Sequence, residues 1–198
     1  MLAQTDDIVE KKRALRAAAL ARRDALAPDF RTRAAKVLAE RGLPFKIFKH
    51  EVFSAYEPMR SEFDPRPLLE KIIAAGGRIV LPAIVDGRIV FRLHEPGSKL
   101  VAGAFGTSEP PPEARELKPD VLLVPLLAFD AKGGRLGYGK GYYDAAIARM
   151  RSERRVGAVG LAFEAQRVDE VPMSERDQRL DLILTEGHEY WVPRGKGR

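Results

Sequence analysis

Residues 133–144 read Gly-Gly-Arg-Leu-Gly-Tyr-Gly-Lys-Gly-Tyr-Tyr-Asp, with glycine at five of the nine positions from 133 to 141. Glycine weakens a helix or strand interior and tolerates left-handed backbone, so this run reads as a loop that turns sharply and lets a ligand approach closely. Its flanks are regular. Val121 to Val124 is a continuous apolar run, the pattern of a strand buried on both faces of a parallel sheet, and a helix is expected from Tyr142 to about Met150. A strand, a glycine-rich loop and a helix in that order place exposed amides at a helix start, where they can hold phosphate oxygens. Arg135 and Lys140 bring positive charge to the same place, and Asp144 is a candidate ligand for Mg2+, which favours carboxylate, water and phosphate oxygen. Gly134 to Lys140 has the Gly-x-x-x-x-Gly-Lys spacing of a nucleotide phosphate loop, but the Ser or Thr that should follow is Gly141. The segment is therefore read as a phosphate loop of another lineage, with Asp144 taking over the metal. The plainer alternative, a flexible turn before a helix, gives no reason for Arg and Lys beside so much glycine.

The remaining chain alternates helices and strands. A first helix is expected over Asp7–Asp24, with Asp7 and Glu10 at capping-box spacing. Leu15, Ala18, Ala19 and Leu26 form its thin apolar face, and Lys11, Lys12, Arg13, Arg16, Arg22 and Arg23 lie elsewhere on the turns. Pro28 opens a second helix that Gly42 ends, with Phe30, Ala34, Val37 and Leu38 facing the core. Glu51–Tyr56 reads as a strand. Asp64-Pro65 starts a third helix whose buried stripe is Leu68, Leu69, Ile72 and Ile73, stopped by Gly76-Gly77. Strands are expected at Arg78–Leu81 and Arg88–Phe91, joined by an Asp86-Gly87 turn. Glu95 to Pro119 reads as an ordered surface loop. Val156–Ala162 and Leu182–Thr185 are further strands, the second being the last, and Pro193 to Arg198 is a frayed tail. This order implies an α/β architecture in three layers, a Rossmann-like sandwich around a mostly parallel sheet, in one domain over residues 1–198.

Several function classes drop out. With no cysteine there is no thiol nucleophile, disulfide or thiolate metal site. His50, His94 and His188 are scattered, without metal-ligand spacing. Residues 1–10 carry three carboxylates and no long apolar run, unlike a secretory signal. No stretch reaches the roughly 18–20 apolar residues that span a bilayer, so a cytoplasmic protein with no membrane partner is expected. The net charge of +6 favours solubility and anionic ligands; it also leaves nucleic-acid binding open, although no zinc finger or RNA-binding sheet motif is present.

Arg-Leu-Gly-x-Gly-Lys-Gly-Tyr-Tyr-Asp after an apolar strand resembles the signature of the 5-formyltetrahydrofolate cyclo-ligase family, also called methenyltetrahydrofolate synthetase. The likeness extends over nearly the whole chain. Lys12 and Arg16 are similar to the family's N-terminal basic pair that reaches ATP. Glu62 resembles an acidic residue at the folate site, Leu81-Pro82 a strand end lining the cleft, and Glu109-Pro110 a Glu-Pro element of the central loop. Gln166, Val168, Val171-Pro172, Asp177 to Asp181 and Thr185-Glu186 resemble the C-terminal motif. Arg176 stands where members often have His, and position 138, basic or aromatic in such proteins, is Tyr138.

The resemblance implies a fold of the NagB/RpiA/CoA transferase-like kind. It also implies a monomeric, cytoplasmic, ATP- and Mg2+-dependent ligase of one-carbon metabolism. The implied reaction converts 5-formyltetrahydrofolate, with or without a polyglutamate tail, into 5,10-methenyltetrahydrofolate, ADP and phosphate. Arg135 and Lys140 are then the catalytic candidates. Lys12, Arg16, Gly134, Arg135, Leu136, Gly137, Tyr138, Gly139, Lys140, Gly141 and Tyr142 would meet the nucleotide. Tyr56, Met59, Glu62, Tyr142 and Tyr143 would meet the folate, and Asp144 the metal. Phe129 and Phe163 are read as packing residues at the rim. The rival readings are another ATP- or phosphosugar-using enzyme on a related fold, and a non-catalytic folate- or nucleic-acid-binding protein.

Overall fold

The computed structural model describes residues 2–193, so residues 194–198 of the expected frayed tail lie outside the described residues. The chain opens with two helices, α1 (Leu2–Asp24) and α2 (Pro28–Arg41). Helix α1 starts earlier than expected, and Asp7 and Glu10 do not cap it. They pair with Lys11 and Arg13 at 2.6 and 2.7 Å, the ordinary use of charges one turn apart on a solvated face. Helix α2 ends where Gly42 takes φ 73°. Its buried residues are Ala34, Ala35, Leu38 and Ala39. Val37, expected in the core, is exposed because the helical rotation carries it off that stripe.

Strand β1 (Val52–Ser54) follows, shorter than expected, then α3 (Arg66–Ala74), which buries Leu68 and Ile72. Asp64 acts as the cap of α3: Pro65 already has helical backbone, φ −78° and ψ −17°, and the Asp64 Oδ1 accepts the Arg66 N–H at 3.0 Å. Strands β2 (Arg78–Val85) and β3 (Arg88–His94) form a hairpin. Asp86 and Gly87 at its tip have φ of 49° and 72°, as a tight two-residue hairpin turn requires. Both strands outrun their expected ends. β1 pairs with β2 only as far as Val80, so beyond it β2 is an edge on that side, where Pro82 is tolerated.

The expected loop after His94 contains a small ribbon, β4 (Val101–Ala102) with β5 (Ser108–Glu109). Strand β6 (Val121–Val124) is followed by a second ribbon, β7 (Ala128–Phe129) with β8 (Arg135–Leu136), which the glycine content of the segment hid. Helix α4 (Tyr142–Glu153), β9 (Gly157–Leu161) and β10 (Leu182–Leu184) come next. β10 is not the last strand: β11 (Glu189–Trp191) pairs antiparallel with it at the sheet edge.

The main sheet has seven strands in the order β11-β10-β9-β6-β1-β2-β3. Its five inner strands run parallel and both edges antiparallel. Successive side chains leave a strand on opposite faces. Phe53, Leu123, Val159 and Leu161 pack with α2 and α3, while Val52, Leu122, Val124 and Ala158 pack with α4. The expected three-layer sandwich is thus present. From β1 the chain runs outward through β2 and β3, then returns to the other side of β1 as β6. Open α/β sheets bind ligands outside the carboxyl ends of the strands at such a reversal. Helix α1 belongs to neither covering layer. Ala19 packs with Leu127, Ala128, Leu136 and Val171, which sets α1 against the β7–β8 ribbon beyond the end of β6.

Candidate functional site

The glycine-rich loop is anchored by a carboxylate. Asp130 is 1% exposed; its Oδ1 accepts N–H groups from Lys132 and Gly134 at 2.8 and 2.9 Å, and its Oδ2 accepts that of Val171 at 2.8 Å. A Cβ on Gly134 would lie 2.4 Å from Asp130 Oδ2, and one on Gly133, at φ 84°, 2.7 Å from the Leu180 carbonyl. These two glycines serve the fold. Gly137 and Gly141 differ: a Cβ on either would meet nothing within 4 Å. Tyr138 to Gly141 is exposed, Lys140 included, and Gly141, at φ 71°, precedes α4 with no side-chain cap. The loop therefore offers backbone amides and a helix start to the outside, the combination that suits phosphate.

Helix α1 faces this loop with cations. Lys12, Arg16, Ala19 and Arg23 fall at spacings of four, three and four, one side of a helix. The Arg16 Nε donates to the Gly137 carbonyl at 2.9 Å, and the guanidinium lies against Gly139, about 3.2 Å from where a Cβ would stand. Lys12 pairs with Asp177, which also accepts the Ser174 N–H and hydroxyl. Burial pushes the Asp177 carboxyl up, but Lys12 and Ser174 outweigh it, so it ends below its ordinary range.

Arg23, expected as one more cation on the turns of the first helix, is fully buried. Its Nε donates to Ser61 Oγ at 3.1 Å and its Nη2 to the Tyr138 hydroxyl at 2.7 Å, while Nη1 lies 3.5 Å from the Leu126 carbonyl. The sequence does carry a signal for it, since Arg23 continues the Lys12–Arg16–Ala19 stripe.

Behind the loop, Arg135 Nη2 lies 3.0 Å from Asp144 Oδ1, and Nη1 donates to the Gln178 carbonyl at 3.1 Å. The same Asp144 oxygen accepts the Gln178 N–H at 2.8 Å. Burial lowers the Arg135 pKa and the neighbouring Asp144 charge holds it up. Asp144 is a poor fit for a resident metal ligand. One oxygen already serves Arg135 and Gln178, and the described residues contain no group of three His, Cys, Asp or Glu side chains able to cage an ion.

Beyond β1, Glu62 Oε2 accepts the Met59 N–H at 2.9 Å, while its buried Oε1 has no hydrogen-bond partner. Burial raises the Glu62 carboxyl; the Met59 N–H and the Arg23 charge, with Nη1 4.0 Å from Oε1, oppose that rise. The buried Tyr143 hydroxyl also lacks a partner, and burial, then the Glu62 charge, pushes its pKa up, so it stays a donor. Buried polar groups are nearly always satisfied. One acceptor and one donor left over beside the reversal point mark where a polar ligand would be read. Tyr56 is different, since it is buried and its hydroxyl is bonded to the Phe63 carbonyl at 2.9 Å. Met59 is half-buried beside Glu62. Tyr142, half-buried at the start of α4, packs with Tyr143 against the α4-side core. Leu136 is buried under α1. Phe129 and Phe163 are wholly buried, as packing residues should be.

Three groups of similarities bear on this arrangement. Residues 8–186 match the 5-formyltetrahydrofolate cyclo-ligase family. The 5-formyltetrahydrofolate cyclo-ligase of Escherichia coli (strain K12) is 32% identical over 173 residues, 83% of this chain and 94% of that protein. The one from Mycolicibacterium smegmatis is 33% identical over 141 residues, 66% of this chain and 71% of that protein. Among solved structures, Aquifex aeolicus 5,10-methenyltetrahydrofolate synthetase superposes with a TM-score of 0.78 at 30% identity, over 94% of this chain and 95% of that one. The Mycoplasma pneumoniae synthetase gives a TM-score of 0.69 at 26% identity, over 88% and 98%.

Proposed function

The chain belongs to the 5-formyltetrahydrofolate cyclo-ligase family, and from that premise we propose that it drives the closure of 5-formyltetrahydrofolate to 5,10-methenyltetrahydrofolate with ATP. The observation that carries this reading is the pairing of two unlike surfaces at one sheet reversal. An exposed glycine loop faced by Arg16 suits a polyphosphate. A buried carboxylate, Glu62, with one oxygen that accepts no hydrogen bond suits the N–H groups of a pterin.

The chemistry needs both. A formamide oxygen leaves poorly. The γ-phosphoryl group therefore moves to that oxygen: the bond from phosphorus to the ADP oxygen breaks and one to the formyl oxygen forms. N10 then attacks the formyl carbon and loses its proton, the carbon–oxygen bond breaks, and phosphate leaves with the former formyl oxygen. No protein nucleophile is called for. The work is alignment and charge neutralisation.

Within this scheme Lys12, Arg16, Lys140 and the amides of Gly137 to Gly141 hold the polyphosphate. Mg2+ enters as part of the nucleotide substrate. Arg135 balances charge on the group in flight, and Asp144 with Gln178 keeps its guanidinium fixed beforehand, so that little reorganisation is needed during transfer. Glu62 accepts pterin N–H groups, with Met59 and Tyr56 against the ring and Tyr143 as a donor. An oxygen-isotope experiment tests the phosphorylation step. Substrate labelled with 18O in the formyl group should release 18O-labelled phosphate, and label retained in water alone would contradict transfer to that oxygen.

A further inference from the structure

No charged side chain among the described residues is less exposed than that of Arg23. Exchanging a whole buried ion pair for well-packed apolar side chains is often neutral or stabilising, so stability alone gives a weak reason for a guanidinium there. Its contacts give a better one. Nη2 meets the hydroxyl of Tyr138 on the glycine-rich loop, Nε meets Ser61 on the loop after β1, and Nη1 stands 4.0 Å from Glu62 Oε1. Ser61 is itself fixed, since its hydroxyl donates to Asp24 on α1. Tyr138 is 41% exposed: the residue is open to solvent on the nucleotide side while its hydroxyl reaches inward to Arg23.

We propose that Arg23 is a positioning residue that couples the two substrate sites, tying Tyr138 of the nucleotide loop to Glu62 of the pterin loop so that each substrate tightens the binding of the other. This rests on the function proposed above. A nucleotide that settles the loop fixes the Tyr138 hydroxyl, and with it the Arg23 fork. A fork held in one place keeps the Glu62 oxygens aligned for pterin donors. Coupling of this kind is reciprocal, so the folate tightens nucleotide binding by the same factor.

The test is calorimetric titration of the whole chain with Mg2+ and the β,γ-imido analogue of ATP, with and without saturating 5-formyltetrahydrofolate. The expected coupling, the ratio of nucleotide affinities with and without the folate, is about tenfold in the native sequence and under about twofold in Tyr138→Phe. Arg23→Lys should behave like Tyr138→Phe if thermal unfolding shows it folded. Tyr138→Phe removes one hydroxyl from a half-open residue and stands without it. Equal coupling in Tyr138→Phe and the native chain, or no coupling in a native chain that binds both ligands, overturns the proposal. A native chain that fails to bind 5-formyltetrahydrofolate overturns the proposed function as well, which separates the two failures.

Discussion

Arg135 and Asp144 meet at 3.0 Å behind the glycine-rich loop, one from the end of its ribbon and one from the first turn of α4. The loop is thus closed at its base by an ion pair that also takes both backbone groups of Gln178. Asp144→Asn should lower kcat by about 100-fold, the scale of losing a preorganised charge, and leave the KM for ATP within about threefold. Steady-state kinetics at several Mg2+ concentrations check it. Recovery at high Mg2+ would instead make Asp144 a metal ligand.

Two glycines of one loop should behave oppositely. Gly134→Ala forces a methyl group against Asp130 Oδ2 and should destabilise the fold by about 2–3 kcal/mol. Gly137→Ala meets nothing and should leave the fold within about 1 kcal/mol of the native chain. Its methyl group would stand in the approach to the loop, so its KM for ATP should rise. Denaturant unfolding beside kinetics separates the two effects. A Gly134→Ala chain as stable as the native one would show that Asp130 does not anchor the loop.

Glu62 sets a pH dependence with a definite sign. Its folded pKa is raised, so the folded state holds the proton to higher pH than the unfolded chain does. Stability contributed by this group therefore falls as pH rises from the ordinary carboxylate value through the folded one. Under the proposed function binding runs the other way, because pterin N–H donors would need the ionised acceptor. The KM for 5-formyltetrahydrofolate should rise as pH drops through the folded pKa. In Glu62→Gln that pH dependence should vanish, with a KM raised by about 100-fold at neutral pH, the scale of a lost charged hydrogen bond. An unchanged profile in Glu62→Gln would assign the titration to another group.

Asp177 is the opposite case. Its folded pKa is lowered, so its contribution to stability is present above the ordinary carboxylate value and is lost as pH falls through the folded one. Asp177→Asn should cost about 1–2 kcal/mol at neutral pH and flatten the acid limb of the unfolding curve. Lys12 would lose its partner, and the KM for ATP should shift with it.

The glycine spacing and the apolar strand before it make the loop legible, because both signals are local. The mostly parallel sheet follows from apolar strands that alternate with helices. The features that the sequence hides depend on distant partners. β11 lies beside β10 because the chain turns back at His188, where Thr185 accepts its N–H, and its local signal is just the three residues Tyr190-Trp191-Val192. Asp130 looks like any turn aspartate until Val171, far along the chain, supplies a third N–H. Arg23 reads as a solvated cation until Tyr138 and Ser61 close over it. A charge periodicity along α1 is visible, but only the fold shows that this face is buried.

The central claim is that ATP, held on the glycine-rich loop, drives closure of the formyl-folate ring. The most direct measurement is near-ultraviolet absorbance of the methenyl product, with protein, 5-formyltetrahydrofolate and Mg2+, at a pH where acid does not close the ring unaided. Product should form only when ATP is added and should be lost in Lys140→Ala. Well-folded protein that forms no product with ATP, or forms it equally without ATP, would contradict the claim.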